Sequence, residues 1–395
     1  MYNNFERYKS FFKGDAMKFI ILLGIVSLFA DMTYEGSRSI TGPYLAILGA
    51  SAVTVGFVAG FGELSGYVLR FFSGKLADRT RSYWSITIGG YLINLMAVPL
   101  LALAGSWEVA AVLIIIERMG KGLRVPSRDV MLSHASSQVG HGWGFGLHEA
   151  LDQIGAILGP LIVAAVLFYH GSYQIGFAFL LLPALLAIVV LVISRFLYPH
   201  PHDLEVATPP LDTKGLKRIY WLYVFASALI AAGFADFALI AYHFQKTALI
   251  SAGFIPIFYA VAMGVDGIAA LVFGRLFDKV GLSIMIVVAL LSALFAPMVF
   301  LGGFYLAFLG MIIWGISMGA QESIMRSSVA VMSEVKKRGS AYGIFNTVFG
   351  VSWFIGSLIM GILYTFSITY LVVFSVLIQL ISIPFFITML KIRTK

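Results

Sequence analysis

The chain has 395 residues, of which 60% are hydrophobic and 12% are charged, and its formal net charge is +8. An average soluble domain contains about 25% charged residues, so the composition excludes an ordinary soluble protein and predicts an integral membrane protein. The sequence contains no cysteine, which excludes disulfides, thiolate metal ligands and a cysteine nucleophile.

The predicted elements are membrane-spanning helices, because a helix that crosses a bilayer needs about 20 mostly apolar residues. Twelve segments qualify: residues 18–46, 51–77, 83–104, 107–132, 143–168, 174–197, 218–245, 252–277, 282–303, 305–332, 340–365 and 368–390. The predicted fold class is therefore all-α, an integral membrane protein with twelve transmembrane helices.

The positive charges are distributed unevenly between the two sets of loops. If the N-terminus is cytoplasmic, the outer loops hold only Lys246, and the other loop Lys and Arg residues are cytoplasmic. The positive-inside rule therefore predicts that both termini lie in the cytoplasm. The same distribution explains the basic net charge by contact with anionic lipid, so we expect membrane lipids as partners and no nucleic acid.

A hydrophilic stretch at the midpoint predicts a division of the chain. Residues 198–217 contain Pro199, Pro201, Pro209 and Pro210, and they are predicted to form a cytoplasmic linker. The linker separates an N-terminal six-helix half, residues 1–197, from a C-terminal six-helix half, residues 218–395.

The two halves repeat each other. The motif GKLADR that begins at Gly74 recurs 200 residues later as GRLFDK at Gly274, and Arg128 recurs as Arg326 at an offset of 198. Near-equal offsets indicate a parallel repeat of two six-helix units, which is a known transporter architecture. The predicted halves are therefore pseudo-symmetric.

These motifs resemble those of the major facilitator superfamily, and the resemblance covers nearly the whole chain. The loop after the second predicted helix is similar to the family motif Gly-x-x-x-Asp-Arg-x-Gly-Arg-Arg through Gly74, Asp78, Arg79 and Arg81. The family's glycine is missing, because Arg81 follows Thr80 directly. The resemblance implies a secondary transporter in which two halves rock around a midplane site, and it implies a monomer.

Two further motifs resemble those of exporters. Gly155-Ala-Ile-Leu-Gly159-Pro160 is similar to the antiporter motif Gly-x-x-x-Gly-Pro, and the stretch from Arg118 to Asp129 resembles a subgroup of prokaryotic efflux-type permeases. The resemblance implies export across the cytoplasmic (inner) membrane of a prokaryote.

Charged residues inside the apolar segments predict a polar interior. Each costs roughly 2.5–3.5 kcal/mol at bilayer depth, so about fifteen of them must face each other or water inside the bundle. Residues at i, i+3, i+4 and i+7 share a helix face, which predicts one polar face on each of four helices. The candidates for proton coupling in this central cavity are Asp31, Glu35, Arg38, Glu63, Arg70, Glu117, Arg118, Lys121, Arg124, Glu149 and Asp152.

Asp31 and Glu149 are the preferred proton carriers. Burial disfavours the charged form of a carboxylate and a nearby cation favours it, so a group between these influences can gain and lose a proton. Arg38, Arg118 and Lys121 are the cations expected to reset them. In the alternative interpretation, these residues form permanent ion pairs that hold the helices in register.

The second half offers fewer polar groups. Its candidate substrate pocket consists of Asp236, Asp266, Trp314, Gln321 and Glu322. Tyrosines and tryptophans within the spans, including Tyr34, Tyr259 and Trp353, could line a pocket for an aromatic substrate or could serve core packing. Charged residues at the cytoplasmic ends of several helices predict a cytoplasmic gate. In the alternative interpretation, these charges only fix the topology. The gate residues are Gly74, Asp78, Arg79, Arg128, Gly274, Asp278 and Arg326.

The sequence thus predicts a secondary transporter that exports a drug-like or metabolite molecule in exchange for protons. The expected partners are a small-molecule substrate and protons. No cofactor and no metal are expected, and the proton gradient is the expected energy source, because no phosphate-binding Gly-x-x-x-x-Gly-Lys-Ser/Thr motif occurs. The alternatives are proton-coupled uptake of an organic anion, lipid movement between leaflets and a transport-inactive sensor. An enzyme is not expected, because no nucleophile–base pattern is evident.

Overall fold

The fold is seen in a computed structural model, which describes residues 14–200, 218–332 and 338–393. Within these ranges the regular structure is entirely helical. The greater part of the predicted linker, residues 201–217, lies outside them.

The first half contributes six spans. Five are continuous helices and the sixth is divided at Leu180. Their bounds are α1 Asp15–Ile47, α2 Ala52–Thr80, α3 Tyr83–Leu100, α4 Trp107–Val139, α5 His141–His170, and α6 in two segments, Tyr173–Phe179 and Leu181–Leu197.

The second half repeats this order with its break in a different place. The bounds are α7 in two segments, Arg218–Gly233 and Phe237–Thr247, then α8 Phe254–Val280, α9 Ile284–Leu301, α10 Phe304–Met332, α11 Arg338–Phe366 and α12 Ile368–Arg393. The prediction of an all-α fold with about twelve spans is confirmed.

One span differs from the others in composition. Eleven spans are long and apolar enough to cross a membrane by length and composition, and α4 is the exception. Although α4 has 33 residues, its first half already contains Glu117, Arg118 and Lys121. The least apolar span is therefore also the one that brings most charge into the bundle.

The break in α7 exposes main-chain groups that must be satisfied inside the protein, because lipid offers no hydrogen bonds. Asp236 begins the second segment, and its carboxylate accepts a hydrogen bond from the Ala238 N–H at 2.9 Å. The Ser375 hydroxyl donates to the Gly233 carbonyl at 2.6 Å, and the Trp314 indole donates to the Ala235 carbonyl at 3.0 Å. These side chains stabilise the interruption of α7, the first span of the second half.

Glycines allow the two halves to approach at one end of the bundle. We call the end at which α1 begins and α12 ends the terminus end, and the other end the far end. A Cβ placed on Gly42 of α1 would lie 2.0 Å from the Ala238 carbonyl of α7, and one on Gly56 of α2 would lie 2.4 Å from the Ser357 carbonyl of α11. Contacts this close hold the halves together at the far end.

Candidate functional site

A cavity of about 580 Å³ lies between the two halves. It extends from Tyr34 and Arg38 in the middle of α1 to Arg128 on α4 and Gly343 on α11, near the terminus end. A second, much smaller pocket of about 20 Å³ lies on the far-end side. Tyr34, Arg38 and Glu63 line both, so they form the partition between the cavity and the closed far end.

Arg38 is the centre of this partition. Its guanidinium lies 3.1 Å from Asp236 of α7, 3.6 Å from Glu63 of α2 and 4.0 Å from Glu35 one turn earlier on α1. A buried charge is tolerated only when it is paired, and Arg38 is 9% exposed. The i, i+3 spacing brings Glu35 and Arg38 to one face, as predicted, and the break in α7 brings Asp236 to them from the other half.

The network continues onto α4. Arg118 lies 3.3 Å from Glu63 and 3.2 Å from its neighbour Glu117. The Asn94 amide of α3 donates to the Glu117 carboxylate at 2.7 Å. The chain of charges therefore runs from α7 through α1 and α2 to α4, and it ends on a neutral amide.

Glu35 connects this network to both halves. Lys121 of α4 lies 3.8 Å from the Glu35 carboxylate, and the Tyr259 hydroxyl of α8 donates to the same carboxylate at 2.5 Å. The Lys121 ammonium also lies 3.9 Å from the centre of the Tyr34 ring, which is a cation–π contact. A change in the charge of Glu35 would therefore alter contacts on α1, α4 and α8.

The predicted polar face of α4 is divided between two environments. Lys121 and Arg128 line the cavity, whereas Arg124 is buried with its guanidinium 4.2 Å from the centre of the Tyr91 ring of α3. Gly90 makes this possible, because a Cβ there would lie 2.7 Å from the Arg124 main-chain nitrogen. Arg124 thus packs α3 against α4 and does not line the cavity.

Asp31 lies buried where α5 packs on α1. The Gly155 and Gly159 positions of α5 sit against the Leu28 and Met32 carbonyls, since a Cβ at either would lie within 2.3 Å of them. In the described part of the chain, Asp31 Oδ1 has no hydrogen-bond partner. The glycines of the predicted antiporter motif therefore fix the wall beside Asp31.

A second acidic group, Asp152, joins α5 to α1 on the terminus-end side of Asp31. Asp152 accepts a hydrogen bond from the Ser27 hydroxyl, which in turn accepts one from Arg128 at 3.3 Å. Arg128 also pairs with Asp129 at 2.8 Å. Glu149, in contrast, is exposed and lines the cavity closer to the terminus end.

The second-half candidates fall into two groups. Asp266, Gln321 and Glu322 line the cavity. Asp236 is drawn into the Arg38 network instead, and Trp314 is fully buried against the break in α7. The residue spacing alone could not separate these groups, because Trp314 and Gln321 share a face but sit at different depths.

Arg70 and the predicted gate residues Gly74 and Arg79 follow one another along α2 toward the terminus end. Arg70 lines the cavity with its guanidinium 5.0 Å from the centre of the Tyr67 ring. Arg79 is exposed, Gly74 faces Pro126, and Gly274 faces the Ser323 hydroxyl. The side chains of three predicted gate residues lie outside the described part of the structure: Asp78, Asp278 and Arg326.

Some site residues were not predicted. Asn94 of α3, Asp129 of α4 and Gln153 of α5 all contact the network or line the cavity. Asp129 could have been found from its place beside Arg128. Asn94 carries no charge and no predicted site residue lies on α3, so nothing in the sequence distinguished it. Gln153 follows Asp152 directly, but an uncharged amide gave no reason to select it.

Comparison with known proteins places these features in one family. The chain matches the profile described as Major Facilitator Superfamily over residues 23–356 and 220–395. It is 39% identical over 375 residues to an uncharacterized protein of Mycobacterium tuberculosis, covering 93% of this chain and 92% of that protein. It is 28% identical over 366 residues to an uncharacterized MFS-type transporter of Methanocaldococcus jannaschii, covering 89% of each.

Solved structures agree with the helical arrangement. The crystal structure of a point mutant of the nucleoside transporter NupG superposes with a TM-score of 0.75 at 16% sequence identity, covering 94% of this chain and 99% of that one. At this identity the likeness concerns the fold alone. Fold and family point to a transporter and not to an enzyme.

Proposed function

The chain belongs to the major facilitator superfamily, and from that premise we propose that it exports a small molecule in exchange for protons. Members of this fold move a solute by exposing a site between two halves to either side of the membrane in turn. Proton-coupled export is inferred from the charged residues that line the cavity.

The carrying observation is the excess of acid in the cavity lining. Eight carboxylates line it, from Asp31, Glu35, Glu63, Asp129, Glu149, Asp152, Asp266 and Glu322. The described basic side chains that line it are Arg38, Arg70, Lys121 and Arg128. An acidic surplus at low dielectric favours the uptake of positive charge, either as protons or as a cationic solute. Two kinds of positive charge that compete for one set of carboxylates give exchange.

Asp31 is the best-situated proton carrier. It is buried in the middle of α1 and lines the cavity, its Oδ1 has no hydrogen-bond partner among the described residues, and Lys121 lies on the neighbouring helix. Glu35, one turn away, is tied to Arg38, Lys121 and Tyr259. Because α1 contacts both halves through Glu35 and Arg38, protonation near Asp31 can alter the contacts that close the far end.

The direction of exchange follows from the proposed orientation. The distribution of Lys and Arg favours cytoplasmic termini. In that orientation the cavity opens to the cytoplasm, where it can release protons and accept solute. The far end would open to the outside, where the proton concentration is higher and solute leaves.

The test is proton flux in proteoliposomes. Purified full-length protein is reconstituted with a pH-sensitive dye inside, a pH gradient is imposed, and lipophilic cations and small organic anions are added one at a time. Solute-dependent proton movement that is lost in Asp31→Asn and retained in Glu108→Gln supports the proposal. Glu108 is an exposed carboxylate in the first turn of α4, outside the cavity. Solute movement with no proton movement would contradict it.

A second candidate function is favoured by the bases of the first half. Arg70, Lys121 and Arg128 line the cavity and could hold an organic anion that enters together with protons. This candidate requires that Lys121 contact the solute, and a variant of Lys121 therefore separates the two functions.

A further inference from the structure

The two walls of the cavity carry different charge. The described basic side chains that line it, Arg38, Arg70, Lys121 and Arg128, all belong to the first half. The second-half wall contributes Asp266 and Glu322, and no described lining residue there is basic. Glu35, Glu63 and Asp129 of the first half pair with cations, whereas the second-half wall offers negative charge to whatever enters the cavity.

Three side chains on the second-half wall have polar atoms without partners. Among the described residues, Asp266 Oδ1, both polar atoms of the Gln321 amide and Trp353 Nε1 have no hydrogen-bond partner. The three residues are 3%, 3% and 4% exposed, and all line the cavity. A buried polar group without a hydrogen bond costs about 1–3 kcal/mol, so on this wall water or a bound solute must supply the partners.

The helices are shaped to hold Asp266 in this position. A Cβ on Gly319 of α10 would lie 2.6 Å from Asp266 Oδ1 and 2.1 Å from the Asp266 carbonyl. Only glycine at that position lets the carboxylate lie against α10, two residues before Gln321. Gln153 of the first half covers Gly267, the neighbour of Asp266, from the other side. The Asp266 side chain is therefore packed against α10 on one side, and the residue lines the cavity.

An aromatic row lies on the same wall. Phe345, Phe349 and Trp353 follow one another at i, i+4 and i+8 on α11, with ring centres 5.7 Å and 5.8 Å apart. All three line the cavity, as do Met263, Met318 and Met325. Aromatic faces bind flat apolar groups and cations, and methionine adapts its shape to irregular partners.

We propose that this wall is the solute subsite, and that it takes a flat organic cation bearing N–H groups. N–H groups of the cation donate to Asp266 and to the Gln321 carbonyl oxygen. The Gln321 amide N–H and the Trp353 indole donate to an acceptor of the solute. The ring system of the solute lies on Phe345 and Phe349. This assignment rests on the proposed function and adds a division of labour: the second half binds the solute and the first half carries the proton.

Equilibrium binding without a proton gradient tests the subsite. The probe is ethidium, a flat cation with two amino groups, and its fluorescence polarisation is titrated with purified full-length protein in detergent. Tetraphenylphosphonium, a cation without N–H donors, and 1-naphthoate, a flat anion, serve as competitors. We expect saturable ethidium binding, weak competition by tetraphenylphosphonium and no competition by naphthoate.

The variants distinguish the polar contacts. Asp266→Asn should weaken ethidium binding by about tenfold or more, and Gln321→Leu by several-fold, because they remove a charged and a neutral hydrogen bond, respectively. Gln321→Leu should leave the weak tetraphenylphosphonium competition unchanged, since that cation has no N–H to lose. Asp266→Glu keeps the charge and should bind ethidium more tightly than Asp266→Asn, which also controls for folding. Glu108→Gln should match the unsubstituted chain.

Absence of saturable ethidium binding, equal binding by Asp266→Asn and Asp266→Glu, or displacement by naphthoate would each overturn the assignment. Failure of the subsite is separable from failure of proton-coupled export. If Asp266→Asn binds ethidium normally while solute-driven proton flux persists, the subsite is wrong and the exporter stands. If binding follows the expected pattern but no solute moves protons, the subsite stands and the coupling is wrong.

Discussion

The guanidinium of Arg38 and the carboxylate of Asp236 form a 3.1 Å ion pair that joins α1 of the first half to α7 of the second. Both residues are buried, and both line the small pocket between the cavity and the far end. Because the pair bridges the halves beside the far end, we expect it to form only while the far end is closed.

Removing the charge of Asp236 should release the far end. Asp236→Asn retains the helix cap to Ala238, since Asn caps as well as Asp, and loses only the pair with Arg38. Breaking a buried ion pair costs about 3–5 kcal/mol when the remaining charge is left unpaired. Arg38 keeps Glu63 and Glu35 nearby, so the cost should be smaller, and the closed far end should lose part of its population. The chain has no cysteine, so spin labels at Ser51→Cys and Lys246→Cys, exposed at the far end of opposite halves, report the separation directly.

We expect a longer label separation in Asp236→Asn than in the unsubstituted background. Glu108→Gln, which removes an exposed carboxylate, should leave the separation unchanged. An unaltered distance distribution in Asp236→Asn would mean that the glycine contacts alone hold the far end closed.

Asp31 and Glu149 should behave differently although the sequence treats them alike. Asp31→Asn should abolish solute-dependent proton flux and spare solute–solute exchange, because a permanently neutral side chain no longer carries a proton. Glu149 is exposed toward the terminus end, where water can replace its role, so Glu149→Gln should retain at least half of the flux. The comparison uses the pH-dye assay alongside exchange of labelled solute. Loss of flux in Glu149→Gln with normal flux in Asp31→Asn would reverse the assignment.

The periodicity of charged residues predicted which side chains share a helix face. Glu35 with Arg38 and Glu63 with Arg70 lie on the faces that the i, i+3 and i+7 spacing indicated, because a straight helix preserves that geometry. The all-α membrane fold was equally accessible, since hydropathy reports directly on the bilayer.

Contacts between distant helices were not accessible. Arg38 and Asp236 are 198 residues apart, and their pairing depends on a break in α7 that leaves Asp236 at a helix start. Arg124 shares a predicted face with Lys121 but packs between aromatic rings, because Gly90 allows α3 to approach it. Trp314 was assigned to the substrate pocket, yet its indole bonds the Ala235 carbonyl. The spacing of residues within one helix does not show which neighbouring helix their side chains contact.

Lys121→Gln should distinguish export from uptake of an anion. In the exporter, Lys121 pairs with Glu35 at 3.8 Å and sets how readily the first-half carboxylates hold a proton. Its loss should shift the pH dependence of exchange and leave cation binding within several-fold. In an anion symporter, the same change should abolish binding of the anion. Equilibrium binding of ethidium and of 1-naphthoate to the same preparation gives the answer, and loss of naphthoate binding with no effect on the pH profile would favour uptake.

The glycine contacts at the far end should be as important as the ion pair. A Cβ on Gly42 would lie 2.0 Å from the Ala238 carbonyl, whereas a Cβ on Gly89 of α3 would meet open space. Overpacking costs about 1–3 kcal/mol, and Gly42→Ala imposes that cost only when the far end is closed, so this variant should favour opening. Ser37, which lines the small pocket, can carry a single cysteine for labelling with a membrane-impermeant maleimide. Labelling of Ser37→Cys from the far side should accelerate with Gly42→Ala and stay constant with Gly89→Ala. Equal rates in all backgrounds would show that the helices separate elsewhere, and that the Gly42 contact serves packing in both conformations.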